Sequence, residues 1–301
     1  MSQDEHDRPR PPTGSAGAAV PVCYRHADRE TYIRCGRCDR SICPECMVSA
    51  AVGFQCPECL REAGKTVRAP RTVLGGTVSA QAQTGQVTKI LIGINVLVFL
   101  LATMIGSTFV DRLFLVGKVG FVDSVGGPIG VANGDWYRLL SSVFLHQMLM
   151  HLVFNMLALW FLGPPLEAVL GRLRFASLYL LCGLAGSAAS YAFNVPTQPS
   201  LGASGAVFGL FGALLVIGRK LRYDVRTLAI VLVANLAFGF VFATYIDWRA
   251  HLGGLAAGVV LGFAFAHAPQ SRRNVVHIAA CAGVFVAVLI TVVVRTAILN
   301  G

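Results

Sequence analysis

From Thr88 onward the chain is a succession of apolar stretches, each near the ~20 residues a helix needs to cross a bilayer. Few folds are open to such a chain. In lipid every backbone N–H and C=O must be satisfied within the spanning structure, which makes apolar stretches of this length helices. Seven can be counted, at about 89–109, 144–162, 173–193, 203–218, 227–244, 249–267 and 275–295. The second is the least defined at its start, where it carries His146 and His151. Composition agrees: of 301 residues, 55% are hydrophobic and 13% charged, well short of the usual charged share of about 25%. The expected class is an all-α polytopic membrane protein.

The net charge of +10 raises nucleic acid as a partner, but the bases lie between apolar spans and in a linker rather than in one patch, which disfavours it. Their placement speaks instead to orientation. Arg172 and Arg174 follow span two, Arg219, Lys220, Arg222 and Arg226 follow span four, and Arg272 and Arg273 follow span six. The opposite loops hold Arg112, Lys118, Arg138 and Arg249. By the positive-inside rule the N-terminus is cytoplasmic and the C-terminus outside, in a multi-pass protein of the cell membrane. Residues 1–19 are polar, show no secretory signal and read as a disordered cytosolic tail. Residues 63–87, rich in Gly, Ala, Ser, Thr and Gln, read as a flexible linker. The long segment at about 110–142 is expected to be a structured loop at the membrane interface.

Between these, residues 20–62 hold seven of the nine cysteines. Cys23-x2-His26, Cys35-x2-Cys38, Cys43-x2-Cys46 and Cys56-x2-Cys59 supply eight ligands in four chelating pairs, enough for two tetrahedral zinc ions. A cytosolic location keeps the thiols reduced and free to bind metal, and some forty residues bury too little to fold well without it. The pattern resembles the B-box type of zinc finger, which implies interleaved pairing, first pair with third and second with fourth. The spacing alone leaves sequential pairing open. A cytosolic protein partner is expected for this module.

Spans two, four and six all enter from the outer side. Ser204 near the start of span four, His251 near the start of span six, and His151 and Asn155 in span two therefore share one depth. Polar groups within membrane spans usually face an interior or a water-filled cavity. A serine and a histidine at water-accessible depth suit acyl transfer, with Ser204 as nucleophile and His251 as general base, then acid. His151, Asn155 and the backbone N–H of Ser204 are candidate oxyanion donors. Gly202 and Gly205 allow close backbone approach at the nucleophile. Gly254, Gly258 and Gly262 form a small-residue ridge that brings span six against span four.

Gly202-Ala203-Ser204-Gly205, Ala250-His251-Leu252-Gly253-Gly254 with Gly258, and the run from His146 through His151 to Asn155 resemble the rhomboid family of intramembrane serine proteases. Glu167 with Gly171 fits the segment after that family's second span. The resemblance covers about residues 88–270. It implies a six-helix core, a Ser204–His251 dyad, no catalytic cofactor, and single-span membrane proteins as substrates. It also implies that His151 and Asn155 line the oxyanion site and that His146 supports the first loop. Residues 271–301, a seventh transmembrane helix and tail, suggest a six-plus-one arrangement. Tyr137-Arg138 stands for the family's Trp-Arg pair, and Phe208 stands where some members place a tyrosine against the histidine. Asp247 reads as the cap of the sixth helix rather than a third catalytic member. Trp136 and Arg138 read as interfacial anchors. The alternative is a non-catalytic rhomboid-like protein that binds membrane clients, although it has no chemical need for both Ser204 and His251.

Overall fold

The computed structural model describes residues 20–66, 72, 74 and 85–301. The expected tail at 1–19 and most of the expected linker lie outside these. The chain divides into two compact units, Met1–Ala69 and Pro70–Gly301.

In the first unit, β1 (Val48–Ser49) pairs antiparallel with β2 (Phe54–Gln55), and α1 follows at Pro57–Thr66. Proline at the first helical position forfeits an N–H that would have no intrahelical acceptor anyway. The helix continues past residue 62, into the stretch expected to be linker. The buried centre consists of cysteines plus Ile42, with Tyr24, Met47 and Phe54 packed around them. Such a core is mostly sulfur.

The second unit is helical, with α2 (Gln86–Ile105), α3 (Ser107–Leu113), α4 (Arg138–Ser141), α5 (Leu149–Leu170), α6 (Arg172–Phe193), α7 (Ser204–Lys220), α8 (Arg226–Val241), α9 (Trp248–His267) and α10 (Arg273–Asn300). Each of the seven apolar stretches becomes one of these. Five helices among the described residues are long and apolar enough to cross a membrane: α2, α5, α6, α9 and the segment containing α10. Helices α7 and α8 are shorter, at 17 and 16 residues. At 1.5 Å per residue, 17 residues reach ~25 Å, less than a bilayer core. α7 tolerates this because its neighbours cover it: every residue from Gly205 to Ala213 is buried.

α7 and α9 run parallel with their backbones in contact. A Cβ on Gly254 would fall 1.9 Å from the carbonyl oxygen of Gly205, and one on Gly258 would fall 1.9 Å from that of Gly209. One on Gly262 would meet Cα of Ala213 at 2.8 Å. The expected ridge thus lies against a matching row on α7, Gly205, Gly209 and Ala213, at the same four-residue spacing.

The loop between α2 and α5 is structured. It contains α3, the hairpin of β3 (Val119–Val122) with β4 (Gly127–Ile129), α4, and a 3-10 turn at Ser142–Phe144. That turn, and the extended Leu145 after it, delay α5 to Leu149, five residues beyond the expected start. His146 therefore belongs to the loop.

Arg138 departs from its expected role. It is fully buried, so it cannot anchor at lipid headgroups. Its Nε donates to Asp135 at 2.8 Å, and its Nη1 donates to the carbonyls of Asp111 and Phe114 at 2.8 and 3.0 Å. It ties the loop to itself, while Trp136 and Tyr137 remain exposed. Glu167 is also fully buried, and its carboxylate accepts from the backbone N–H groups of Val87 and Thr88 and from the Thr88 hydroxyl, at 2.9–3.0 Å. A carboxylate near the end of α5 thereby caps the start of α2, where an anion also suits the helix dipole.

Candidate active site and metal clusters

Ser204 is the first residue of α7. The chain reaches it through Gly202, whose φ of +129° favours glycine, and a Cβ there would fall 2.7 Å from the His151 ring. Glycine is thus required by conformation and by space. Its N–H donates to the Ser142 carbonyl at 2.9 Å. That N–H is committed, so Gly202 shapes the site rather than donating to it. The N-terminus of α7 carries no side-chain cap, and its first N–H groups, that of Ser204 included, have no acceptor within the helix.

The parallel packing of α7 and α9 places their N-terminal turns side by side, with His251 Nε2 2.9 Å from Ser204 Oγ. His251 is buried, and Phe208, one turn beyond Ser204, stacks on its ring at 4.1 Å between centroids and 11° between planes. Stacking fixes the imidazole plane, and the hydrogen bond fixes its edge. His251 Nδ1 has no hydrogen-bond partner among the described residues. Asp247, the candidate for a third member, is occupied: its Oδ1 accepts from the N–H groups of Arg249 and Ala250, and its Oδ2 accepts from the Ser190 hydroxyl. It caps α9, as the sequence predicts.

His151 lies in the first turn of α5, beside Gly202. Asn155, one turn on, donates from Nδ2 to the His151 carbonyl at 2.9 Å, which uses one of its two N–H groups. His146 is buried against His151, with ring centroids 4.9 Å apart, and neither of its nitrogens has a partner among the described residues. It supports His151 by packing rather than holding the loop by hydrogen bonds.

Two cavities adjoin Ser204. One, of about 360 Å³, is lined by Met148, His151, Gly202, Ser204, Asp247 and His251. The other, of about 940 Å³, lies between α5, α7 and α8, and Phe154, Asn155, Phe211, Val231 and Asn235 line it together with Ser204 and His251. A hydroxyl in contact with an imidazole, free helix N-terminal donors and space on both sides are the elements of nucleophilic acyl transfer.

In the N-terminal unit, Cys23, His26, Cys43 and Cys46 form one cluster, and Cys35, Cys38, Cys56 and Cys59 another. Within each, the ligand atoms lie within 4.8 Å of one another. The pairing is interleaved, which the spacing alone left open. His26 Nδ1 sits 3.3, 3.4 and 3.9 Å from the sulfurs of Cys43, Cys46 and Cys23, and Cys38 and Cys56 are 3.8 Å apart. A tetrahedral zinc with bonds of about 2.3 Å to sulfur spaces its ligands by about 3.8 Å, so both donor sets fit the ion. Burial resists ionisation of Cys23 and Cys35. Even so, hydrogen bonds from backbone N–H groups, those of Arg25 and Cys56 among them, hold each thiol down at about 6. Thiolate is the form that binds metal.

Some site features escaped the sequence reading. The row Gly205, Gly209 and Ala213 was visible as spacing, and pairing it with the ridge on α9 would have predicted the parallel contact. The Ser190–Asp247 bond, between residues 57 apart, left no local signal.

The model of the rhomboid domain matches residues 133–268, which contain the whole Ser204 site. Over 133 residues the chain is 44% identical to rhomboid protease GluP of Bacillus subtilis (strain 168), covering 42% of this chain and 26% of that protein. It is 35% identical over 146 residues to the putative rhomboid protease YdcA of the same organism, covering 47% of this chain and 73% of the relative. With RHOMBOID-like protein 5 of Arabidopsis thaliana it shares 38% identity over 148 residues, 46% of this chain and 47% of that one. The chain thus spans about a quarter of the length of the first relative and about half of the third. With nearly three quarters of YdcA covered, and the domain match enclosing serine, histidine and the glycine rows between them, the chain belongs to the rhomboid family.

Proposed function

We propose that the protein is an intramembrane serine protease that hydrolyses peptide bonds in or near the transmembrane segments of single-span membrane proteins. The observation that carries this reading is the 2.9 Å contact between Ser204 Oγ and His251 Nε2 under the stacked Phe208 ring. The protease names of its relatives from Bacillus subtilis favour it.

Ser204 Oγ attacks the scissile carbonyl while His251 Nε2 takes its proton. The resulting oxyanion is held by the N–H of Ser204 and by His151 and Asn155. As the C–N bond breaks, the imidazolium returns the proton to the leaving amine, and the acyl group stays on Ser204. Water then enters, His251 takes a proton from it, and the acyl–oxygen bond is hydrolysed, releasing the carboxylate and restoring the hydroxyl. Asp247 caps α9, so Phe208 does the orienting that a third member does elsewhere. No cofactor takes part.

The Ser204 end of the bundle faces outward, the N-terminal unit is cytosolic, and the C-terminus is outside. The two Cys/His clusters each hold a structural zinc ion, which supplies the folding energy that their sulfur-rich core lacks, and the module docks a cytosolic protein. Domain limits follow as 20–66 for the module, whose last helix runs to Thr66, 86–270 for the protease core and 271–301 for the seventh helix and tail.

The test of the nucleophile is a fluorophosphonate probe on the purified protein in detergent. Ser204 should be the labelled residue, and Ser204→Ala and His251→Ala should both abolish labelling. Labelling of Ser204→Ala at the wild-type rate would refute the assignment.

A further inference from the structure

The segment that delivers the nucleophile, residues 194–203 between α6 and α7, is irregular, yet it must hold Ser204 to a fraction of an ångström. Its own hydrogen bonds show how. Ser200 exchanges two backbone bonds with Leu115, at 2.8 and 2.9 Å. The Pro196 carbonyl accepts from the N–H groups of Gly117 and Lys118 at 2.8 and 3.0 Å. A Cβ on Gly117 would fall 3.0 Å from Pro196, so the two strands of chain are in close contact. The nucleophile segment is therefore sewn to residues 115–118 of the first loop.

Those residues are held in turn by the last turn of α10. The Lys118 ammonium donates to the Leu299 carbonyl and to Asn300 Oδ1, both at 2.7 Å. Asn300 Nδ2 donates to the Ala132 carbonyl at 2.8 Å. A cation at a helix C-terminus also complements the helix dipole. The same end of α10 reaches the other side of the segment: Thr296 Oγ1 and Tyr191 Oη are 2.8 Å apart, and an Arg295 guanidinium N–H donates to the Asn194 carbonyl at 3.4 Å. Beneath these bonds Val288 and Val292 of α10 pack with Leu115, Val131, Leu139 and Tyr191 in a cluster separate from the main core.

We propose that the outer half of α10 is a strut that positions the nucleophile segment through the first loop, with Lys118 and Asn300 as positioning residues. The proposal rests on the protease reading above. Neither residue touches the reacting atoms; each acts on Ser204 through the 115–118 strand. Small displacements of a reacting group are costly in rate, up to about 100-fold for 1 Å.

The experiment uses the full chain in liposomes with a single-span substrate. It compares wild type, Lys118→Met, Lys118→Arg, Asn300→Ala and the lipid-facing control Val294→Ala. The strut predicts a kcat about tenfold lower for Lys118→Met, a smaller fall for Asn300→Ala, recovery in Lys118→Arg, and wild-type behaviour in Val294→Ala. KM and the thermal midpoint should stay unchanged throughout. A kcat for Lys118→Met equal to wild type overturns the strut, as does a loss that only follows the fraction of folded protein. Wild type that neither cleaves nor takes up a fluorophosphonate overturns the protease reading instead, so the two failures are distinguishable.

Discussion

His251 is held by the Ser204 hydroxyl at its edge and by the Phe208 ring against its face. Removing the ring frees the imidazole to rotate off the hydrogen bond. An aromatic contact of this kind contributes about 1 kcal/mol beyond area burial, or roughly a factor of five. Phe208→Ala should therefore lower kcat about fivefold with little change in KM, while Phe208→Tyr keeps the stack and most of the rate; steady-state cleavage kinetics decide it. Ser204, His251 and Phe208 were legible because short motifs carry them and alternating spans put them at one depth. Arg138 and Glu167 were legible as residues that matter but not in what they do. The N–H groups that Glu167 caps are about 80 positions away. Arg138, surrounded by interfacial aromatics in sequence, turns inward onto carbonyls that only the folded loop presents.

The contact between α7 and α9 depends on backbone meeting backbone. With the Gly209 carbonyl 1.9 Å from where a Cβ on Gly258 would stand, Gly258→Ala must push the helices apart. The expected cost is about 3 kcal/mol, with loss of activity because the Ser204–His251 distance is set by this packing. On α10, a Cβ at Gly283 would meet nothing within 4 Å. Gly283→Ala should be neutral or stabilising by up to about 1 kcal/mol. Thermal unfolding of the two variants in the same detergent compares them directly; equal midpoints would refute the backbone-contact account. Glu167→Gln should lower stability by about 1–2 kcal/mol through the weakened cap on α2, read by the same measurement. Hydropathy foretold all seven helices, because lipid leaves a long apolar stretch no other form. Their ends were less legible. The start of α5 is set by a 3-10 turn in the preceding loop, and α7 begins late because Gly202 takes a left-handed φ just before it.

The molecule joins two units stabilised by different means. The helical unit rests on apolar burial and glycine contacts, whereas the N-terminal unit has little core besides its cysteines. Metal analysis of the purified chain should give about two zinc ions per chain, and Cys38→Ser together with Cys56→Ser should leave about one. A strong chelator should make the segment 20–66 sensitive to proteolysis, and unchanged resistance would contradict a structural role for zinc. The eight ligands were legible as spacing, but their interleaving required the fold. The glycine and serine of a GxSG string are common packing residues in spans. The shared depth of three helix N-termini is what singles Ser204 out, and that property belongs to the whole chain.

The most direct test of the dyad is cleavage of a single-span substrate by the full chain in liposomes, with wild type, Ser204→Ala and His251→Ala compared at equal folded concentration. Wild type should cut the substrate at one position near its outer membrane boundary, and both variants should fall by at least about 1,000-fold. Cleavage by Ser204→Ala at the wild-type rate would contradict it.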